Sequence, residues 1–300
     1  MSELVEKIES EEVSAPKGSL IFRKIWHLRL GVIGGLVILA LLLTAIFCPL
    51  LAPHDPYAQN ISNRLKPPVW MEKGDWKHLL GTDHLGRDLF SRILYGSRIS
   101  LVVGISAAIL MAIMGVGLGL FAGYYGGQVD SVISFFVNCM MGFPFILLAM
   151  SLVAVLGPSL QNIIITLALT SWPVFTRVTR VETMKLRERE FILAATSLAY
   201  ETWRILLHHI LPNLLPSILV LGTVEIARAI ILESLLSFLG LGIQPPIPSW
   251  GAMLAEGRNY MLMQWWLAAF PGSAIFLSAL GINLLGDALR DMTDPHLRKS

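Results

Sequence analysis

The fold is decided by the stretch Ser131–Thr176, SVISFFVNCMMGFPFILLAMSLVAVLGPSLQNIIITLALTSWPVFT, which holds 46 residues without Asp, Glu, Lys or Arg. As a single helix it would extend about 69 Å at 1.5 Å per residue, roughly twice the thickness of a bilayer core. The stretch must therefore fold back on itself, and Gly157-Pro158-Ser159 supplies the turn. We predict a hairpin of two membrane helices, at about Val132–Leu156 and Gln161–Phe175.

Three further charge-free runs flank this hairpin: residues 30–54, 99–129 and 259–286. Each exceeds the ~20 apolar residues that a membrane helix needs. The 300-residue chain is 54% hydrophobic and 15% charged, whereas a soluble domain has roughly 45–50% apolar and ~25% charged residues. This composition excludes an ordinary soluble protein and a disordered one. We therefore predict an all-α, polytopic membrane protein.

Six transmembrane helices account for the whole pattern. Besides the hairpin, they are predicted at about Gly31–Leu51, Ile99–Gly123, Asn213–Leu239 and Gln264–Leu285. The first 29 residues are polar, with five acidic and five basic side chains, and the apolar run after them is too long for the core of a signal peptide. The first helix is therefore expected to be retained.

The distribution of Lys and Arg predicts the orientation. With the N-terminus inside, 14 of the 23 Lys and Arg residues lie in inside segments and eight lie in outside loops. Because inside loops of membrane proteins are enriched in these residues, we expect both termini in the cytoplasm.

Catalytic motifs are not found in this sequence. No Lys follows a Gly, so there is no phosphate-binding P-loop, and neither H-E-x-x-H nor G-x-S-x-G occurs.

Cys48 and Cys139 lie in apolar runs, which favours small buried side chains over a disulfide or a metal cluster. Adjacent His208 and His209 would point about 100° apart on a helix, which favours a helix end at the membrane surface over a shared metal site. We expect no catalytic residue, metal site or bound cofactor in this chain, and its net charge of +2 excludes a strong nucleic-acid footprint.

The basic inside segment contains two predicted short helices. One spans residues 189–199, with apolar or small residues at 191, 194, 195 and 198. The other spans Trp203–Ile210 and is expected to end at Leu211-Pro212. The first helix suits docking into a groove on a partner and equally suits lying on the lipid surface, so the pattern alone leaves both roles open.

This segment resembles the coupling loop of ATP-binding-cassette (ABC) importer permeases. The family pattern is Glu-Ala-Ala, three residues, Gly, and a later Leu-Pro. Leu193 stands where the pattern has Glu, and Ala199 stands where it has Gly. Without Gly, a turn that needs a positive φ angle costs more free energy. The resemblance makes the following residues candidates for coupling to an ATPase: Glu190, Ala194, Ala195, Ala199, Leu211 and Pro212.

Two other blocks look like segments of peptide and nickel importer permeases. The first comprises LGTDHLGRD (residues 80–88), SR (91–92) and GSRISL (96–101). The second comprises ESLLSFLGLG (233–242), PP (245–246) and PSWG (248–251). The first helix and the loop after it resemble the N-terminal region of the second permease subunit of dipeptide and oligopeptide importers. The resemblance covers nearly all of the chain after Leu20.

The resemblance implies a type I ABC importer permease in the bacterial inner membrane, surrounded by lipid. Such a subunit moves short peptides, or a similar solute such as nickel chelates, through a path shared with a second, homologous permease. Two cytoplasmic ATPase subunits use ATP, and a periplasmic or lipid-anchored binding protein delivers the solute. The implied organisation is residues 1–29 as a cytoplasmic tail, 30–95 as the first helix and a long periplasmic loop, 96–290 as the permease domain with its coupling loop at about 188–212, and 291–300 as a cytoplasmic tail.

A few polar groups fall inside the predicted membrane helices. Glu225 and Arg228 lie three residues apart, so they share a helix face and could pair. Glu233 follows on the same helix and could instead hold the outer gate region. Asn138 and Phe135 stand where many relatives have an Asp and an Arg, so that ion pair cannot form here. Intramembrane charges usually face a wet path or brace a bundle; both roles stay open for Glu225, Arg228, Glu233 and Asn138.

Those charges also allow an alternative function, a stand-alone secondary transporter or channel.

Gly115, Gly119 and Gly123 form a stripe of small residues that lets two helices approach closely. The stripe could pack within this subunit or against the partner permease. Pro144 and Pro271 are expected to bend their helices.

Overall fold

A computed structural model of the chain describes residues 17–293, with side-chain surroundings for residues 30–292. The described part is helical apart from its loops and one isolated bridge between Thr82 and Asp88, as the all-α prediction requires. The predicted tails fall largely on residues 1–16 and 294–300, outside the described residues. The helices are α1 (Lys17–Leu51), α2 (Leu89–Tyr125), α3 (Gly127–Gly142), α4 (Phe145–Leu156), α5 (Leu160–Arg187), α6 (Glu190–Ser197), α7 (Thr202–Phe238), α8 (Trp250–Gly257) and α9 (Trp266–Thr293).

The predicted fold-back at Gly157-Pro158-Ser159 is confirmed. Gly157 ends α4 with φ +83°, a conformation that glycine adopts without a steric penalty. Ser159 begins α5, and its hydroxyl accepts a hydrogen bond from the Asn162 N–H at 3.1 Å. The Asn162 side chain donates to the carbonyl of Gly157 at 3.0 Å. The turn thus satisfies some of the backbone groups that the two helix ends leave free.

The first arm of the hairpin differs from the single helix predicted over Val132–Leu156. It is broken into α3 and α4, which meet at an angle of 93°. Phe143 has an extended backbone and Pro144 precedes the first residue of α4. Pro144 has no N–H to continue the α3 ladder, and its ring disfavours the helical conformation for the residue before it. The expected bend at Pro144 is therefore a break.

The predicted count of six membrane helices stays a prediction. Among the described residues, α1, α2, α7 and α9 are each long and apolar enough to span a membrane, and α3 with α4 makes a fifth span if the bent pair is counted as one. In α5 the uncharged part is residues 160–176, shorter than the ~20 residues usually needed. The location of both termini in the cytoplasm is likewise untested.

Helix α7 also differs from the sequence prediction, because the two helices expected over Trp203–Ile210 and Asn213–Leu239 form one continuous helix. Its segment Ile205–Ile210 is a π-helix, in which hydrogen bonds reach one residue further back. The Asn213 side chain donates to the His209 carbonyl at 2.6 Å. The wide turn accommodates Pro212, so Leu211-Pro212 lies inside a helix and does not end one.

Helix α2 lies at the centre and packs against α1, α5 and α7. The closest approach is to α5, through the glycine stripe. A Cβ atom at Gly115 would lie 2.5 Å from the Cβ atom of Phe175, and one at Gly119 would lie 2.6 Å from that of Thr179. Gly123 is equally crowded by α5. The stripe is therefore filled by a helix of the same subunit.

This contact predicts that Gly119→Leu destabilises the fold, because a Cβ atom at Gly119 would lie only 2.8 Å from the Thr176 carbonyl oxygen. Overpacking of this kind typically costs about 1–3 kcal/mol. We expect a lower yield of folded protein and a lower melting temperature in detergent.

Gly117→Leu is the matched control, since a Cβ atom at Gly117 meets nothing within 4 Å. It should melt at the wild-type temperature. Equal melting temperatures for the two variants would contradict the close contact between α2 and α5.

Candidate functional site

The segment predicted as the coupling loop folds into α6, a turn, and the first turns of α7. The inner side of α6 is formed by Ile192 and Ala195, which are buried in a cluster with Leu120 of α2 and with Ile205 and Ile210 of α7. Buried apolar contacts of this kind fix the position of a short helix that would be unstable alone. Helix α6 is therefore packed directly against α2 and α7.

The structure corrects the expected orientation of Ala195. Its exposed fraction is 6% and it points into the cluster, so it cannot contact a partner. Residues 191, 194, 195 and 198 lie on one side of α6, as their spacing predicts, but Ala195 is buried whereas the other three are exposed. The surface opposite the buried side, here called the outward face of α6, consists of Glu190, Leu193, Ala194 and Ser197, all exposed.

Ala199 adopts a φ of +54°, in the left-handed region. Its N–H donates to the Thr196 carbonyl at 3.0 Å, and the Tyr200 N–H donates to the Ala195 carbonyl at 3.2 Å. The turn after α6 thus has the conformation for which the family pattern uses glycine. An alanine in this region costs roughly 1–2 kcal/mol, which the surrounding contacts of α6 must offset.

The predicted pair of Glu225 and Arg228 forms on α7, with 3.3 Å between Arg228 Nη1 and Glu225 Oε1. The Glu225 side chain is 3% exposed, whereas that of Arg228 is 46% exposed. Glu225 Oε2 is buried without a hydrogen-bond partner. The subunit therefore buries the carboxylate and leaves the guanidinium open on one side.

Glu233 lies about 12 Å along the helix axis from Glu225 and about 7.5 Å from Arg228, and it is fully buried. Its carboxylate accepts hydrogen bonds from Ser237 Oγ at 2.8 Å and from Ser249 Oγ at 3.1 Å. Ser249 caps α8, because its hydroxyl also accepts from the Ala252 N–H. Glu233 thus joins the end of α7 to the loop and helix that follow.

Asn138 is also separate from the α7 charges. Its side-chain oxygen accepts a hydrogen bond from Arg177 Nη2 at 3.0 Å. Close by, Arg180 forms an ion pair with Asp130. Both interactions tie α3 to α5, so Asn138 has a partner within the subunit.

Sequence reasoning missed a buried charge cluster that joins the first family block to α8, the helix in which the second block ends. Arg87 Nε donates to Asp83 Oδ2 at 2.6 Å, and Arg87 Nη2 donates to Glu256 Oε2 at 2.8 Å. Arg92 Nη1 contacts both carboxylates, at 2.8 Å for Glu256. The strings GRD and SR signalled family membership, but Glu256 is 169 residues from Arg87, so only the fold reveals the cluster.

Asp83, Arg87 and Glu256 lie outside the membrane-spanning helices, and Arg92 lies in the first turn of α2. The two carboxylates balance the charges of the two guanidinium groups. Burial alone would raise the pKa of Asp83, but the charges of Arg92 and Arg87 outweigh burial and hold that pKa below its usual range. Beside the cluster, Trp250 Nε1 donates to the Ile93 carbonyl at 3.0 Å. Helix α8 is thus fixed to the start of α2 by buried ion pairs and by a buried indole.

We expect Glu256→Gln to lower the melting temperature, because it leaves two buried guanidinium groups with the single carboxylate of Asp83. Removing one partner from a buried charge network costs about 3–5 kcal/mol; we expect the lower end, since the Glu256 side chain keeps 18% exposure. Thermal unfolding in detergent measures this loss.

The control is Glu182→Gln, which removes an exposed pair with Lys185 and should cost no more than about 1 kcal/mol. Equal destabilisation by the two variants would show that the Glu256 cluster does not hold α8 in place.

Sequence comparison places this chain in a known family. The pattern of the family described as "Binding-protein-dependent transport system inner membrane component" matches residues 115–299. The pattern described as "N-terminal TM domain of oligopeptide transport permease C" matches residues 18–68. Together they cover α1 and most of the helices from α2 onward.

Similar proteins include the dipeptide transport system permease protein DppC of Alkalihalophilus pseudofirmus, 44% identical over 92% of this chain and 89% of that protein. The di/tripeptide transport system permease protein DppC of Pseudomonas aeruginosa is 41% identical over 90% and 89% of the two chains. The glutathione transport system permease protein GsiD of Pectobacterium atrosepticum is 42% identical over 92% and 90%.

Among solved structures, two inward-facing forms of the MetNI methionine ABC transporter share the fold. The TM-scores are 0.55 and 0.57, at 18% and 17% identity, over 68% and 69% of this chain and 97% and 98% of the other. The chain therefore belongs to the family of binding-protein-dependent transport system inner membrane components, and it is a multi-pass membrane permease subunit with the fold of an ABC importer permease.

Proposed function

We propose that this chain is the permease subunit of an ATP-driven importer of short peptides. The observation that carries the proposal is the 41–44% identity, over about nine tenths of the chain, to permeases named for dipeptides, di- and tripeptides, and glutathione. These solutes share a peptide backbone with charged ends, which favours peptides over the nickel chelates that the sequence resemblance also allowed.

The alternative of a stand-alone secondary transporter is not favoured. The matching family is defined as a component of binding-protein-dependent systems, and such a component needs partners. We infer a second homologous permease, two cytoplasmic ATPase subunits and a periplasmic or lipid-anchored binding protein. ATP would act on the ATPase subunits, in keeping with the lack of a P-loop in this sequence.

The outward face of α6 is the proposed docking surface for an ATPase subunit. It is accessible and contains the apolar side chain of Leu193, which is 53% exposed, beside Leu198 at 69%. Exposed apolar side chains grouped at a helix end favour a protein partner. Because the buried side of α6 packs against Ile205 and Ile210, a push on α6 would reach α7 directly.

The Glu225–Arg228 pair is the proposed element of the solute path. A guanidinium at membrane depth needs water or a partner, and Arg228 is open on one side although its carboxylate partner is buried. The open side would face the path between the two permeases, where a cation suits the carboxylate end of a peptide. Glu233, with its serine partners, would instead brace the loop before α8.

The docking proposal predicts that Ala194→Arg inserts normally but loses the ATPase subunit. A charged, bulky side chain on the outward face would block the partner while leaving the buried side of α6 unchanged. The tagged variant is produced in a strain that lacks the wild-type permease, and we expect the ATPase subunit to be absent when the variant is purified. Uptake of a labelled dipeptide by this strain should fall at least about tenfold, which corresponds to about 1.4 kcal/mol of lost coupling.

Ala58→Arg, at an exposed alanine of the long loop after α1, is the matched control and should retain the ATPase. Ala195→Arg should instead reduce the yield of folded protein, because its site is buried. Normal ATPase recovery and uptake with Ala194→Arg would overturn the docking role. Unchanged import of peptides in the deletion strain would overturn the assignment to peptide transport.

A further inference from the structure

Three side chains of metal-binding type converge where α1 ends and α2 begins. His54 lies shortly after α1, His78 lies in the long loop, and Asp88 caps α2. Their ligand atoms all lie within 4.8 Å of one another. The transport function described above gives these side chains no role.

The geometry leaves one buried nitrogen without a partner. His78 Nδ1 is 2.9 Å from Asp88 Oδ1, whereas His54 Nδ1 is 3.8 Å from the same oxygen, beyond hydrogen-bond distance. His54 Nδ1 is buried and makes no hydrogen bond. A buried polar atom without a partner costs about 1–3 kcal/mol, and a bound cation would remove that cost.

The surroundings orient the carboxylate toward the two imidazoles. Ser91 N–H and Ser91 Oγ both donate to Asp88 Oδ2, at 2.8 and 2.7 Å. The same Ser91 hydroxyl accepts from the His54 N–H at 3.1 Å. Asp88 Oδ1 therefore remains directed at His54 and His78, in the way that outer hydrogen bonds hold a metal ligand in position.

A second group of possible ligands nearby does not suit a cation. Asp83, His84 and Glu256 also lie close together, but Arg87 and Arg92 already neutralise both carboxylates. Within residues 30–292, by contrast, the ion-pair partners of Asp88 are the two histidines. Metal-bound imidazoles are neutral, so a carboxylate that shares a site with two of them would leave one negative charge for the cation to balance.

We propose that His54, His78 and Asp88 bind a divalent transition-metal ion of the Zn²⁺ class and clasp the end of α1 to the start of α2. Two imidazole nitrogens and one carboxylate oxygen are the ligands that zinc prefers, with water in the fourth position. The sequence-based prediction of no metal site rests on the two cysteines, the adjacent His208 and His209 and the lack of an H-E-x-x-H motif, and it does not consider these three residues together.

The test uses the full chain in detergent, purified with a tag that contains no histidine, stripped with a chelator and titrated with ZnCl₂. Calorimetry should show saturable binding of a single zinc ion, and zinc should raise the melting temperature. Co²⁺, used as a coloured probe, should develop the visible absorption of a four-coordinate site. His54→Ala and His78→Gln should each weaken zinc binding at least about tenfold.

The matched controls are His84→Ala, which lies beside Asp83 and Glu256, and His208→Ala, which lies on α7. Both variants should bind zinc as the wild type does. Circular dichroism and the melting temperature without metal establish that each variant is folded. If His54→Ala is unstable, His54→Gln replaces it, because glutamine keeps the side-chain volume. The proposal is overturned if the wild type shows no saturable zinc binding, if zinc still raises the melting temperature of folded His54 variants, or if His84→Ala abolishes binding.

Discussion

The interaction on which the rest of the structure depends is the close approach of α2 and α5 at Gly115, Gly119 and Gly123. In a bilayer there is little hydrophobic force between helices, so association relies on close packing of backbones and small side chains. The stripe brings α5 against the central helix, and α5 leads directly into α6. The position of the proposed docking surface therefore follows from a contact inside the membrane.

From α6, packing continues along the chain to the opposite end of the bundle. Ile192 and Ala195 hold α6 against α7, which runs without interruption over 37 residues. Near the other end of α7, Glu233 binds the serine that caps α8, and Glu256 of α8 binds Arg87 and Arg92 at the start of α2. A displacement of α6 would thus reach the loops at the opposite end of the bundle through buried contacts, which supports α7 as the element that couples the two ends.

Local chemistry allowed part of this account to be predicted from the sequence. The charge-free run, its Gly-Pro-Ser turn and the three-residue spacing of Glu225 and Arg228 are local signals, and the structure agrees with each. The break at Pro144 exceeded the expected bend, and Leu211-Pro212 did not end a helix, because a π-turn absorbs the proline. The burial of Ala195 and the cluster around Glu256 depend on contacts between distant segments, which periodicity and spacing do not encode.

In the proposed importer, the outward face of α6 contacts an ATPase subunit. The most direct measurement of this contact is cross-linking from a single accessible cysteine in membranes that contain the assembled importer. Exposed Cys139 is first replaced by serine, while Cys48 is buried and stays. A thiol-to-amine cross-linker on Ala194→Cys is predicted to capture the ATPase subunit, and the buried Ala195→Cys is predicted not to. Equal capture from both positions, or none from Ala194→Cys in an assembled complex, would contradict the account.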